Sequence, residues 1–285
     1  MWFLFSLGSA LFASVTDVFA KYTAKQADPY VRAWAFRFFA LFLLLPLAII
    51  FRPETIGPRF WSAIVVIGIL NTINSVLYTK AIAYAPLSLV MPIMALTPMF
   101  ILVIAPLVNH ESPGLMGIAG ICLTVVGTYL LQVSRRKEGF WKPITSLVTD
   151  RGPRLMLVLC ISWGITSAYD KVAVQNSNPF FYLGVAYSIY ALALLPIVLI
   201  QRSRMVQVRD NLKTLAPLGL FQASSVILQM SALPFTYAAY VVAIKNVSTV
   251  FGVLWGKVIF KEEHIWERLL GAAVILVGIT LIVLS

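Results

Sequence analysis

Slid along itself by 150 residues, the chain places Thr16, Lys21, Pro29 and Pro46 on Thr166, Lys171, Pro179 and Pro196. Slid by 151, it places Leu77, Ala81, Val90, Glu111, Gly120 and Gly127 on Leu228, Ala232, Val241, Glu262, Gly271 and Gly278. The one-residue slip belongs in a loop, where insertions are tolerated. Apolar coincidences are cheap, but ordered prolines, glycines and glutamates over nearly the whole chain mark an internal duplication. Between the copies lies the one long polar stretch, Gln132 to Arg154. The reading is therefore a first unit over 1–133, a basic connecting loop over 134–153 and a second unit over 154–285.

What each copy contains is decided by composition. Hydrophobic residues make up 60% of the chain and charged residues 12%, about half the charge of a soluble domain. The apolar runs are close to the roughly 20 residues a helix needs to cross a bilayer. They predict crossings at Trp2–Lys21, Pro29–Phe51, Phe60–Ala83, Pro86–Val108 and Pro113–Val133. The second set is Leu155–Gln175, Pro179–Gln201, Lys213–Leu233, Tyr237–Phe260 and Ile265–Leu284. Four of these open on proline, which suits a first helical turn. Five crossings are an odd number, so the second copy must enter the membrane from the opposite face. The expected fold is an all-α membrane protein of ten transmembrane helices, arranged as two inverted-topology five-helix repeats. That plan places a binding site at the interface of the repeats.

Charge sets the orientation. One face receives Lys25, Arg135, Arg136, Lys137, Lys142, Arg151, Arg202, Arg204, Arg209 and Lys261, whereas the other receives Arg52 and Arg59. The first should be cytoplasmic, which leaves both termini outside. The same placement accounts for the net charge of +11 without nucleic acid as a partner. Met1 to Phe5 lacks a basic leader, and no cleaved signal is expected. Cys122 and Cys160 lie singly in apolar runs and read as packing residues.

Polar residues inside the crossings form a stripe. Asn71, Asn74 and Tyr78 share one face of the third crossing, and their repeat mates Gln222, Ser225 and Gln229 mark the same face of the eighth. Such groups either glue helices together or line a watered cavity. Their recurrence in both copies favours a shared polar cavity. Gly252 and Gly256 on the ninth crossing have the spacing of close packing contacts. The fourth crossing carries Pro92 and Pro98, which should bend it. Its mate has Lys245-Asn246 and Ser248-Thr249 instead.

Charges inside the crossings divide in the same way. Asp17 and Lys21 stand four apart on the first crossing, close enough to pair. Asp170 and Lys171 sit at the corresponding depth of the sixth. Arg37 and Lys80 join the first pair on the cytoplasmic side. These side chains are either anchors that snorkel to the surface or two alternating gates whose charges pair when that side closes. Lys245 lies as deep from the external side, with no carboxylate within a turn or two on its own helix. Its partner is either Asp17 or Asp170 on another helix, or a carboxylate or phosphate of a substrate. Thr249, one turn on, belongs to the same candidate substrate-binding set.

The sequence has no phosphate-binding glycine loop, no nucleophile elbow and no zinc-protease motif. No catalytic residues, metal ligands or cofactors are expected, and an enzyme is not. His110 and His264, each beside a glutamate, read as solvated loop residues.

The runs Leu107-Val108-Asn109-His110-Glu111 and Val258-Ile259-Phe260-Lys261-Glu262 close the fourth and ninth crossings. A glycine-containing helix follows each. In this the chain resembles the drug/metabolite transporter superfamily, in particular its ten-helix proteins with two EamA-type domains. The resemblance spans nearly the whole sequence. It implies alternating-access transport of a small metabolite, driven by exchange or by an ion gradient such as the proton's. The expected location is a bacterial inner (plasma) membrane. The Gly-Ala-Leu-Asn-Lys motif of the nucleotide-sugar branch is not matched by Val242-Ala243-Ile244-Lys245-Asn246. The glutamate of the small multidrug branch has no counterpart between Trp2 and Thr16. Members are usually drawn with both termini inside, against the charge count. The expected function is secondary-active transport of a small anionic or zwitterionic metabolite, with a lipid-headgroup flippase and a non-transporting membrane scaffold as alternatives.

Overall fold

A computed structural model describes residues 1–23, 26–133, 141–259 and 266–285. The first half contains α1 (Trp2–Thr23), α2 (Pro29–Phe38), α3 (Leu41–Ile50), α4 (Phe60–Tyr84), α5 (Leu87–Met94), α6 (Thr97–Asn109) and α7 (Leu115–Val133). After a short helix α8 (Lys142–Thr149) come α9 (Arg151–Gln175), α10 (Pro179–Leu199), α11 (Arg202–Asp210), α12 (Leu212–Ala232), α13 (Ala238–Lys245), α14 (Ser248–Val258) and α15 (Trp266–Leu284). Among the described residues nine spans are long and apolar enough to cross a bilayer, and Leu270–Leu284 is a shorter apolar helix. A backbone in hydrocarbon must satisfy its own hydrogen bonds, and helices do so.

The packing follows the duplication. α1 lies along α12, and their mates α9 and α4 lie along each other. α6 packs on α9 as α14 packs on α1, while α7 pairs with its own mate α15. That last contact is made by glycines. A Cβ on Gly120 would stand 2.6 Å from the Gly278 carbonyl oxygen, and one on Gly271 2.9 Å from that of Gly127. Since Gly120 and Gly127 are the repeat mates of Gly271 and Gly278, each contact maps onto the other. That is the signature of a two-fold interface.

Two spans are broken at matching places. α5 and α6 part at Ala95–Leu96, and α13 and α14 at Asn246–Val247, 151 residues further on. Proline accounts for the first break. Pro98 has no N–H for the Met94 carbonyl, which accepts from Thr97 Oγ1 at 2.8 Å instead. The second break contains no proline and was read from sequence as continuous helix. Here the chain tightens, with the Val247 N–H on the Ile244 carbonyl at 2.9 Å and Thr249 Oγ1 on the Asn246 carbonyl at 2.6 Å.

Other expectations need correction. The second span is interrupted at Phe39–Ala40, where α12 crosses so closely that a Cβ on Gly219 would meet Phe39 Cβ at 2.5 Å. Gly252 is no packing contact among the described residues, because a Cβ there meets none of their atoms within 4 Å. Part of the connecting loop forms α8, helped by Pro143 in its first turn, and α9 begins at Arg151. The basic stretch after α10 forms α11. It docks on the α1–α2 connection through Arg204 Nη2 to Asp28 Oδ2 at 3.5 Å and the Asp28 N–H to Gln207 Oε1 at 2.8 Å. On the opposite face the α9–α10 connection holds the α3–α4 connection, with Asn178 Nδ2 on the Phe51 carbonyl at 2.7 Å. Lys25, Arg135, Arg136, Lys137, Lys261, Glu262 and His264 lie outside the described residues.

Candidate functional site

The deepest charges converge on the break between α13 and α14. α13 ends at Lys245, where the last carbonyls of a half-helix carry partial negative charge that favours a cation. Lys245 Nζ donates to Gln229 Oε1 on α12 at 2.6 Å. Asp17 on α1 and Asp170 on α9 both act electrostatically on the ammonium, and among the described residues neither forms a direct ion pair with it. Of the two partners expected from sequence, neither carboxylate is in contact, and a neutral amide holds the lysine. The Asp17 side chain is exposed on α1.

Asp170 accepts a short hydrogen bond from the Tyr182 hydroxyl on α10. Tyr187 and Tyr190, further along α10, lie within electrostatic range of both Asp170 and Arg37. Arg37 in turn pairs with no carboxylate among the described residues. Its guanidinium donates to the Ala33 carbonyl and to Ser75 Oγ, each at 2.9 Å, and lies 5.8 Å from the Tyr190 ring centroid. The stripe mates Asn71 and Gln222 each donate an amide N–H to one of these tyrosines, Asn71 to Tyr190 and Gln222 to Tyr187, both at 3.1 Å. The structure thus brings together Lys245, Gln229, Asp17, Asp170, Arg37, Asn71 and Gln222 around the three tyrosines.

The remaining stripe residues do other things. Ser225 is fully buried and pairs with Ser9 of α1 at 3.2 Å, which makes it glue between α1 and α12. Asn74 is 2% exposed, and neither amide atom has a partner among the described residues. Tyr78 leans on Trp163 with ring centroids 6.2 Å apart. The Thr249 hydroxyl is spent on the helix break. Lys21 and Lys80 are exposed. Lys171 pairs with Glu111 at 2.7 Å, not with its neighbour Asp170. An apolar groove on the flank of α4 and α10, lined by Ile64, Gly68, Thr72 and Ile189, holds none of the charged groups.

Sequence reading missed Tyr182, Tyr187, Tyr190 and the role of Glu111. A signal existed for the tyrosines, since Tyr187 and Tyr190 are three apart on an otherwise apolar span. Under the repeat Tyr182 and Tyr187 replace Arg32 and Arg37.

Comparison with known proteins decides the family. The model of the EamA-like transporter family matches residues 1–133 and again 151–284. The chain belongs to the EamA-like transporter family. It is an integral multi-pass membrane protein with two EamA-like units, and the family is one of transporters of small molecules. No curated protein matches the chain. A solved structure described as "Crystal structure of protein" is 15% identical, covers 99% of this chain and 96% of its own, and superposes with a TM-score of 0.73. At that identity it speaks for the fold alone.

Proposed function

We propose that this protein is a secondary-active transporter of a small zwitterionic or anionic metabolite, working by alternating access between its two inverted units in a bacterial inner membrane. The observation that carries the reading is the unequal partnering of the buried charges. Two cations from opposite halves, Arg37 and Lys245, are held by neutral oxygens. Neutral partners position a cation without cancelling its charge, so an anionic group of a solute can claim it. Asp17 and Asp170, whose charges both act on Lys245, are the carboxylates that would meet an ammonium group of the same solute. A purely anionic solute would leave those two carboxylates to a coupling proton or to an exchanged counter-substrate. A scaffold would be expected to satisfy its own polar interior, and unpartnered Asn74 and Asn246 Nδ2 weigh against that.

The test is a thermal-shift survey of the purified protein with zwitterionic amino acids, dicarboxylates, phosphorylated sugars and organic cations, followed by counterflow of any stabilising solute in proteoliposomes. Zwitterions or anions should stabilise the wild type. Lys245→Gln should fold and lose that stabilisation, with binding weakened by roughly 2–5 kcal/mol, as for other desolvated charge pairs. Lys245→Arg should lose less. A folded Lys245→Gln that is still fully stabilised would remove the lysine from the site. Stabilisation by organic cations alone would refute the charge assignment.

A further inference from the structure

The pairing of Lys171 with Glu111 links the two halves of the chain. Glu111 lies in the connection between α6 and α7, which leaves α6 through His110 in the left-handed conformation (φ 55°). Asn109 fastens that end of α6 to α9 by donating to the Ala168 carbonyl at 2.9 Å. Lys171 and Glu111 are 8% and 5% exposed. Besides Glu111 Oε1 at 2.7 Å, the Lys171 ammonium donates to the Thr236 carbonyl at 2.6 Å and lies 5.8 Å from the Tyr237 ring centroid. The Glu111 carboxylate has a second duty. It accepts the N–H of Ala238, the first residue of α13, at 3.1 and 3.3 Å. A carboxylate at a helix N-terminus satisfies an orphan donor and complements the helix dipole.

One carboxylate from the first half therefore holds two elements of the second half that lead to the site. α13 runs from Ala238 to Lys245, about 10 Å of helix at 1.5 Å per residue. On α9, Lys171 directly follows Asp170, whose charge Lys245 feels. We infer that the Lys171–Glu111 pair is the latch that closes the chamber on the face of the Ser112 loop. Through the N–H of Ala238, Glu111 ties that closure to the placement of Lys245. Release of Glu111 frees both α9 and the start of α13, so the gate and the binding cation move together. This rests on the alternating-access reading for what the latch encloses, but its test needs no substrate and can fail on its own.

The experiment reads accessibility in the full-length protein on a Cys122→Ser, Cys160→Ser background. The reporter is Ser167→Cys, one turn before Lys171 on α9 and the repeat mate of Asp17. Ser112→Cys, at an exposed position, shows which side an impermeant methanethiosulfonate reagent has reached in intact cells and in inverted vesicles. From the side that labels Ser112→Cys, the Ser167→Cys reporter should react slowly. Glu111→Gln and Lys171→Gln should each speed that reaction at least about tenfold, as expected when a buried charge pair is broken. The double variant should be no faster than either, because both remove one interaction. The exchange Glu111→Lys with Lys171→Glu should restore only part of the protection, because a lysine cannot accept the Ala238 N–H and a carboxylate cannot donate to the Thr236 carbonyl. If either single variant fails to reach the membrane, Glu111→Asp, which draws the carboxylate back by one methylene, gives the same reading. Unchanged labelling in a folded variant, or additive effects in the double, would overturn the latch.

Discussion

Replacing Gly127 by alanine tests the two-fold contact that frames the site. A Cβ at this position would stand 2.7 Å from the Ile275 backbone nitrogen and 2.8 Å from the Gly271 carbonyl oxygen. Ordinary van der Waals contact begins near 3.4 Å, so the shortfall is roughly 0.6 Å. The obstructing atoms are largely backbone and cannot rotate away, so α7 and α15 must separate by about that distance. A gap of 0.5–1 Å forfeits about a quarter to a half of each lost contact's attraction. Summed along a helix pair this comes to the roughly 1–3 kcal/mol typical of overpacking, offset by up to about 1 kcal/mol because alanine is the better helix former. Gly252 is the control, since a Cβ there meets nothing within 4 Å and only the helix-forming gain applies. Thermal unfolding of the purified protein should place Gly127→Ala several degrees below wild type and Gly252→Ala at or above it, a difference of about 2 kcal/mol or roughly 4–8 °C. Gly127→Ala combined with Gly271→Ala should cost less than the sum of the two, because one separation relieves both clashes. A Gly127→Ala protein that melts at or above Gly252→Ala would refute the close glycine crossing.

Loss of the Thr97 hydroxyl in Thr97→Val should cost about 1 kcal/mol, since it strands the Met94 carbonyl that Pro98 leaves free, whereas Thr97→Ser should be near neutral; equal melting of the two would count against that account of the break. Because the basic segments around α8 and α11 should face the cytoplasm, cysteines at Thr145 and Ser203, both exposed, should resist an impermeant thiol reagent in intact cells, and ready labelling of both would reverse the orientation.

What could be read from the chain alone follows from where each constraint acts. Hydrocarbon imposes length and apolarity on every crossing, so the spans were legible to within a few residues. The duplication was legible because glycines and prolines are kept for backbone reasons. The break near Pro92 and Pro98 was legible for the same cause. Its mate was not, because Asn246–Val247 breaks the helix through local hydrogen bonds, to which proline gives no clue. Partners were the least legible. Lys245 finds Gln229 and Lys171 finds Glu111 on other elements, and neither contact follows from spacing along one helix.

The repeat itself explains why the chemistry gathers where it does. A two-fold frame puts matching breaks in the fourth and ninth spans, and broken helices expose backbone ends that a continuous helix would hide. Had both copies kept the same side chains, the site would carry two equal halves and could not tell one end of a solute from the other. The positions around it have diverged instead. Met94 stands where the second copy has Lys245, Tyr78 where it has Gln229, and Arg32 and Arg37 where it has Tyr182 and Tyr187. The glycines that set the distance between α7 and α15 are unchanged between the copies, whereas the residues that set the charge around the chamber are not. For the transporter proposed here, an asymmetric solute would require that division: like halves would let the frame rock, and unlike side chains would let the site choose.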